Sequence, residues 1–425
     1  MIQLLVIADD FTGALDTAAQ FAKDGIVTLI TTFSLMDREF GGDVDTDGGA
    51  EVLVVDTESR HIGKTEASNR VKQFLARYRC KYVYKKTDST LRGNVGAELI
   101  AAMEGYPHDE LVFIPAYPKM GRVIRDGYLF LDGVPLHQTA FAKDPLDPVG
   151  ESYLPALIGK QADPGTVVIC CKDPDEITAS RFAKKKIYIL DGETDSDLLR
   201  IGQKLKESGK LKLTAGCAGF AEVLSRMLDL NRTPTGATLP HGGNTLIICG
   251  SVHENSIRQI QFAEGQGCPG ITLTPYQLLD EKYAESEGYR ELVREIQINL
   301  QQSGQFILKS INHRDELGDY INFGQLVGIA KEEVHLRLAH NFGKLVKRIA
   351  ALRCFENMVV FGGDTAIGIM DSLGCLGLQV KAEIVPGVII SEATTALGRF
   401  NLVTKAGGFG DEAILTKVIQ YLKGA

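Results

Sequence analysis

Residues 4–20 read LLVIADDFTGALDTAAQ. The run Leu4 to Ala8 has the continuous apolar pattern of a strand buried on both faces. It stops at two carboxylates, Asp9 and Asp10, and an amphipathic stretch runs from Leu15 to Lys23. Strand, polar loop and helix in that order open a parallel α/β sheet, in which ligands sit beyond the carboxyl ends of the strands. One aspartate can brace the loop or cap the helix that starts near Thr12. Side chains alternate along a strand, so the other can face the crevice. The expectation is that Asp10 faces the crevice and Asp9 does the bracing.

The same order repeats along the chain. VTLIT (27–31), EVLVVD (51–56), YVYKK (82–86), LVFIPA (111–116), TVVIC (166–170) and IYILD (187–191) read as strands. Helical stretches run from Lys64 to Tyr78, Asn94 to Met103 and Ser196 to Ser208. Residues 231–244, NRTPTGATLPHGGN, have the composition of a linker. Beyond them the order restarts with TLIICGS (245–251), a helix from Glu254 to Gly265 and GITLTP (270–275). A polar helical stretch from Glu281 to Gln302 leads to QFILKS (305–310), and MVVFGGDTA (358–366), GVIIS (387–391) and NLVTKAGGFG (401–410) follow. The expected architecture is two α/β domains, 1–235 and 245–425, with largely parallel sheets and an active site in the cleft between them. A length of 425 residues suits two cores better than one.

Composition narrows the partners. No apolar run approaches the roughly 20 residues of a membrane helix. The formal charge of −8 and the absence of a basic stripe argue against nucleic acid. The eight cysteines contain no C-x-x-C spacing, which suits free thiols in a reducing compartment. The N-terminus has no basic segment with a cleavage site, so a cytoplasmic protein is expected. A small molecule is the expected partner, and a homodimer, the commonest closed oligomer, the expected assembly.

The loops after the strands carry the chemistry. In the first half they hold Asp9 and Asp10, then Asp56 to Arg60, then Lys85 to Gly93, then Pro115 to Arg122. Acids, bases and hydroxyls converging on one crevice suit a small, polyhydroxylated, anionic ligand. Lys86 and Arg92 can bind a carboxylate, Arg92 in bidentate geometry. Arg60, Asp88 and Arg122 lie in the same loops, and an aspartate beside a reacting hydroxyl can take its proton. In the second half the loops are small and glycine-rich: Gly250-Ser251, Gly362 to Thr365, and Lys405 to Gly410. Glycines at a strand-to-helix turn let backbone N–H groups approach phosphate oxygens. Thr365 can donate to a phosphate, Lys405 can offset its charge, and Asp364 can hold Mg²⁺ directly or through water.

G-x-x-x-x-G-K-[ST] does not occur, nor does G-x-G-x-x-G opening a helix after a strand, G-x-S-x-G or H-E-x-x-H. A polar acid site in one domain and phosphate loops in the other suit phosphoryl transfer. Two other classes stay open: a sugar-acid dehydrogenase or aldolase-type enzyme, and a non-catalytic sugar-acid sensor.

ADDFTGALDTAAQFAKDG (8–25), DTESR (56–60), KKTDSTLRGNVGAEL (85–99), PAYPKMGR (115–122), DG (132–133), GCAGFAE (216–222), GSVHENSIRQI (250–260), FGGDTA (361–366) and KAGGFG (405–410) together resemble the four-carbon acid sugar kinases. The resemblance runs from the first strand to the last helix. It implies ATP-dependent phosphorylation of threonate, erythronate or 3-oxo-tetronate, typically at the terminal hydroxyl. It implies an N-terminal domain for the acid and a C-terminal domain for ATP. Carried onto this chain, Ser251, Gly362 to Thr365 and Gly407 meet the nucleotide, with Gly408 and Lys405 in the same loop. The acid falls among Asp10, Lys86, Asp88 and Arg92. In this scheme Arg92 and Lys86 hold the carboxylate, and Asp10, with Asp9 as the alternative, orients and deprotonates the hydroxyl. Asp364 assists Mg²⁺. Ala406 and Cys217 stand where serine is common in the family.

Overall fold

The computed structural model describes residues 2–36, 49–144, 147–162, 165–177, 185–233 and 242–424. The chain divides into two compact units, Met1–Thr235 and Gly236–Ala425. Most of the linker-like stretch lies outside the described residues.

The first unit runs β1 (Ile2–Ala8), α1 (Phe11–Ala22), β2 (Thr28–Thr32), α2 (Phe33–Met36), β3 (Val52–Asp56), α3 (Lys64–Arg77), β4 (Cys80–Lys86), α4 (Val95–Gly105) and β5 (Glu110–Ile114). A small antiparallel sheet follows: β6 (Arg122–Arg125), β7 (Tyr128–Leu131) and β8 (Val134–Pro135). Then come α5 (Leu154–Gly159), β9 (Val167–Cys171), β10 (Lys186–Leu190), α6 (Asp195–Glu207), β11 (Leu213–Gly216) and α7 (Ala218–Met227). The main strands lie in the order β2-β3-β1-β4-β11-β5-β10-β9, and every pairing is parallel. Leu5, Val6, Ile7 and Ala8 are fully buried, as a strand covered on both faces requires.

The second unit runs β12 (Thr245–Cys249), α8 (Glu254–Gly265), β13 (Gly270–Thr272), α9 (Pro275–Leu279), α10 (Glu287–Ser303), β14 (Gln305–Lys309), α11 (Leu317–Leu326) and α12 (Val334–Ala350). It closes with β15 (Asn357–Phe361), α13 (Gly363–Leu373), β16 (Cys375–Val385), β17 (Val388–Thr395), β18 (Gly398–Lys405) and α14 (Ile414–Lys423). Strands β13-β14-β12-β15-β18 are parallel, whereas β17 is antiparallel to both β18 and β16. The connections Pro386-Gly387 and Ala396-Leu397 are two-residue turns, too short for a crossover helix, so the chain must reverse there. The helical stretch expected over 281–302 is broken: a 3₁₀ turn covers Glu281–Glu285, and Ser286 caps α10 by accepting the Tyr289 N–H.

Candidate functional site

Register sets out the first site. Thr32 pairs with Asp56, Asp56 with Ala8, Ile7 with Lys85, Lys86 with Gly216, and Gly216 with Ile114. Six strands thus end on one edge, and their loops start level with one another.

Asp10 is the N-cap of α1; its Oδ1 accepts the Gly13 N–H at 3.0 Å. The capping duty falls to the more open aspartate, whose side chain is 25% exposed. Asp9 is the buried one, at 3%. Arg60 binds both. Its Nε donates to Asp9 Oδ2 at 2.8 Å, and Nη1 and Nη2 donate to Asp10 Oδ2 and Oδ1 at 2.7 and 2.6 Å. The expected split, in which Asp9 braces and Asp10 alone faces the crevice, is therefore corrected: Asp10 caps as well as faces outward, because the extended backbone at residue 10 (φ −146°, ψ 158°) is the geometry of a cap.

Asp88 is gripped from two sides. Arg92 donates through Nε to Oδ2 at 2.9 Å and through Nη2 to Oδ1 at 3.1 Å, and Arg60 Nη2 lies 3.7 Å away. Burial pushes the Asp88 carboxyl up, but Arg60 and Arg92 outweigh it and hold it well below the ordinary carboxylate range. Asp9 is likewise pushed up by burial and drawn below its ordinary value by Arg60, Lys85 and Lys86. Arg92 also reaches Asp144 through Nη1 at 3.4 Å and stands 5.6 Å above the Phe141 ring. Leu91, inside this loop, has φ +61°, a conformation costly for a branched side chain and typical of loops held for a ligand.

Beneath the loops lies a layer the sequence reading passed over. Lys85 is fully buried and meets Glu98 Oε2 at 2.8 Å, the Ile7 carbonyl at 3.1 Å and the Lys86 carbonyl at 2.7 Å. Ser59 donates to Glu98 Oε1. Asp56, also fully buried, accepts the Glu58 N–H through Oδ1 at 2.8 Å, while Oδ2 has no hydrogen-bond partner among the described residues. Burial, then Glu58, Asp10 and Asp9, raise its carboxyl well above the ordinary range. The charge pattern KK and D at strand ends was visible, but which member of each pair turns inward was not.

Among the described residues Arg122 does not join this cluster. Its Nη1 donates to the Met120 carbonyl, and its Nε is buried without a partner among the described residues. Lys119 is paired with Glu222 at 2.7 Å.

The second site has the same logic with different material. Lys309, Cys249, Phe361 and Lys405 are register partners across β14-β12-β15-β18, so Gly250, Gly362 and Ala406 leave the sheet together. Gly362 has φ +113°, open to glycine alone. A side chain on Gly250 would collide with Thr365 Oγ1 at 2.2 Å, so the first turn of α13 packs against this loop because Gly250 is bare. A cavity of about 560 Å³ opens here, lined by Ser251, His253, Gly362, Gly363, Asp364 and Thr365 on one side and by Leu317, Ile321, Val334 and Leu338 on another. Arg314, Lys331 and His335 also line it. Arg314 follows β14, a strand end whose loop the sequence reading did not weigh; Lys331 and His335 had no such signal.

Gly407 and Gly408 lie beside His253, with a side chain at Gly407 falling 3.4 Å from its Cβ. His253 caps α8 by accepting the Asn255 N–H. Lys405 is placed under the loop and not at the cavity wall. Its ammonium donates to the Gly407 carbonyl at 2.8 Å and to Ser256 Oγ at 3.2 Å, and burial lowers its pKa to about 8. Among the described residues no group of three or more His, Cys, Asp or Glu could hold a metal. Asp364, exposed in the first turn of α13 and lining the cavity, is a single carboxylate beside the bare loops. That fits a Mg²⁺ carried mainly by phosphates and water.

Two family descriptions match the chain: "Sugar-binding N-terminal domain" over residues 4–224 and "Nucleotide-binding C-terminal domain" over residues 246–415. The chain belongs to the four-carbon acid sugar kinase family. It is 27% identical to a D-threonate kinase of Salmonella typhimurium, over 99% of both chains. It is 25% identical to a D-erythronate kinase of Heliobacterium modesticaldum, over 99% of this chain and 97% of that one. A crystal structure from Salmonella typhimurium LT2, solved under a tRNA synthase name, superposes with a TM-score of 0.79 at 26% identity, over 98% of this chain and 99% of that one. In this family member the Cys217 thiol donates to the Pro115 and Ala116 carbonyls at 3.2 and 3.4 Å, tying the β11 end to the β5 loop as a serine hydroxyl would. Ala406 contributes its backbone N–H, donated to the Gly387 carbonyl at 3.1 Å.

Proposed function

We propose that this sugar-acid kinase moves the γ-phosphoryl group of ATP to the terminal hydroxyl of threonate, erythronate or 3-oxo-tetronate. The observation that carries the reading is the pairing of two strand-end sites in one chain, one of packed ionic side chains and one of bare glycine loops around a cavity. The aliphatic residues Leu317, Ile321, Val334 and Leu338 take the base, the Gly363 N–H and Thr365 Oγ1 take the phosphates, and Gly407, beside the cavity residue His253, adds its N–H. Mg²⁺, when bound beside Asp364, offsets phosphate charge.

Arg92 anchors the acid. Asp88 holds one edge of its guanidinium, and the second link, to Asp144 at 3.4 Å, is long enough to yield to an incoming carboxylate. Asp10 accepts the hydroxyl proton. Arg60 and Gly13 occupy three of its four lone-pair sites and fix its plane, which leaves one for the substrate. In transfer a bond forms between the hydroxyl oxygen and the γ-phosphorus, the bond to the β,γ-bridging oxygen breaks, and ADP leaves with that electron pair. Free cysteines throughout the described residues suit the cytoplasm, and a homodimer is the expected assembly.

A coupled assay of ADP release with a panel of threonates, erythronates and 3-oxo-tetronates tests this. Acid-dependent ADP with at least one member is expected; none with any member sinks the reading.

A further inference from the structure

Four cations stand at the first site, and three are satisfied. Arg60 holds Asp9 and Asp10, Arg92 holds Asp88, and Lys85 holds Glu98. Lys86 is 4% exposed, yet among the described residues no hydrogen bond or ion pair reaches its ammonium. An unpaired buried ammonium is costly to keep unless something else meets it.

Gly13 shows where. It is the third residue of α1, and its φ is not positive, so its backbone suits alanine as well as glycine. A Cβ there would lie 2.5 Å from Asp10 Oδ1 and 2.7 Å from Lys86 Nζ, with Lys86 Cε next at 3.6 Å and no backbone atom close. The two tips are therefore separated by less than the sum of the first two distances, but they form no ion pair within 4.0 Å. Asp10 Oδ1 already accepts from Gly13 and Arg60, so a hydroxyl entering here accepts from the ammonium and donates to the one acceptor site left on the carboxylate, at Oδ2.

We propose that the space beside Gly13 seats the acceptor hydroxyl, with Asp10 on its proton and Lys86 on its oxygen, so that Lys86 is a catalytic residue and not a carboxylate anchor. This rests on the phosphotransfer reading above and assigns Lys86 a different duty within it. As the O–P bond forms and the proton passes to Asp10, negative charge on the acceptor oxygen and the incoming phosphoryl oxygens faces a fixed ammonium. Gly13 is then required because a side chain there would displace the tips of Asp10 and Lys86, although its backbone would suit alanine.

The test uses the full chain. Gly13→Ala displaces the Asp10 cap and gains helix propensity, two effects of similar size that oppose one another, so its melting temperature should stay close to wild type while kcat falls about 100-fold. Lys86→Met should lower kcat by about 100-fold or more with the acid KM moved less than about 3-fold, and Lys86→Arg should recover part of the loss. Wild-type kcat in Gly13→Ala overturns the inference alone. So does a Lys86→Met enzyme that keeps kcat and raises the acid KM, the signature of a carboxylate anchor. Wild-type enzyme that releases no ADP with any acid overturns the parent reading and the inference with it.

Discussion

At the carboxyl edge of the N-terminal sheet, Asp9, Asp10, Arg60, Asp88 and Arg92 lock one another through bonds of 2.6 to 3.1 Å. At the carboxyl edge of the C-terminal sheet, Gly250 and Gly362 leave the sheet bare, Ala406 and Gly407 follow β18, and the buried charge, Lys405, holds that loop from below. On the proposed function, the first edge recognises by side-chain charge fixed in advance and the second by backbone exposed by the absence of side chains. A small acid offers few contacts, so its site needs strong, pre-oriented ones. A nucleotide offers many, so weak backbone donors suffice.

The sharpest break in this comparison is Asp10→Asn. Turnover should fall by about 1,000-fold or more, with ATP binding by calorimetry unchanged. Equal loss of both would show that the two edges are not separable. Asp9→Asn should cost less activity and more stability than Asp10→Asn. Next is Arg60→Met, which strands Asp9 in the interior. Denaturant unfolding should show a loss of about 3–5 kcal/mol, whereas Thr365→Val at the other edge should leave stability within about 1 kcal/mol and raise the ATP KM about 10-fold. A larger stability loss at Thr365 than at Arg60 would reverse the comparison.

The smallest effects are in pH. Asp88 and Asp9 are held below their ordinary values, so their contribution to stability is present above about pH 4 and is lost as pH falls through the folded values. Asp56 has the opposite sign. Its folded value is raised, so its contribution is complete below about pH 4 and is lost as pH rises through the folded value. Asp56→Asn, which keeps an acceptor for the Glu58 N–H, should therefore stabilise the protein at neutral pH relative to wild type and leave the acid limb unchanged. A flat pH–stability profile in both proteins would remove the ionic account of the first edge.

Strand-end loops were readable because a parallel sheet obliges each apolar run to stop on the ligand side. DD, KTDSTLRG and GGDTA stood out for that reason. The reversal at β16-β17-β18 was not, since GVIIS and NLVT look alike in either direction and only the two-residue turns decide. Nor could sequence tell that Arg60 would be engaged by Asp10 of its own chain. Ion pairing between residues 50 positions apart depends on which strands become neighbours. Gly13 hid in plain view, as a glycine in the first turn of a helix says nothing until its neighbours are known.

Lys85 and Lys86 are chemically identical, yet one is sealed against Glu98 and the other stands beside Gly13. Only the parity of β4 separates them, because each step along a strand turns the side chain to the opposite face. An uncharged residue inserted within β4 ahead of them would carry Lys85 to the place Lys86 now holds, with no change in net charge. For this pair the sheet is a ruler with a spacing of one residue, and the identity of an ammonium is its count from the start of the strand.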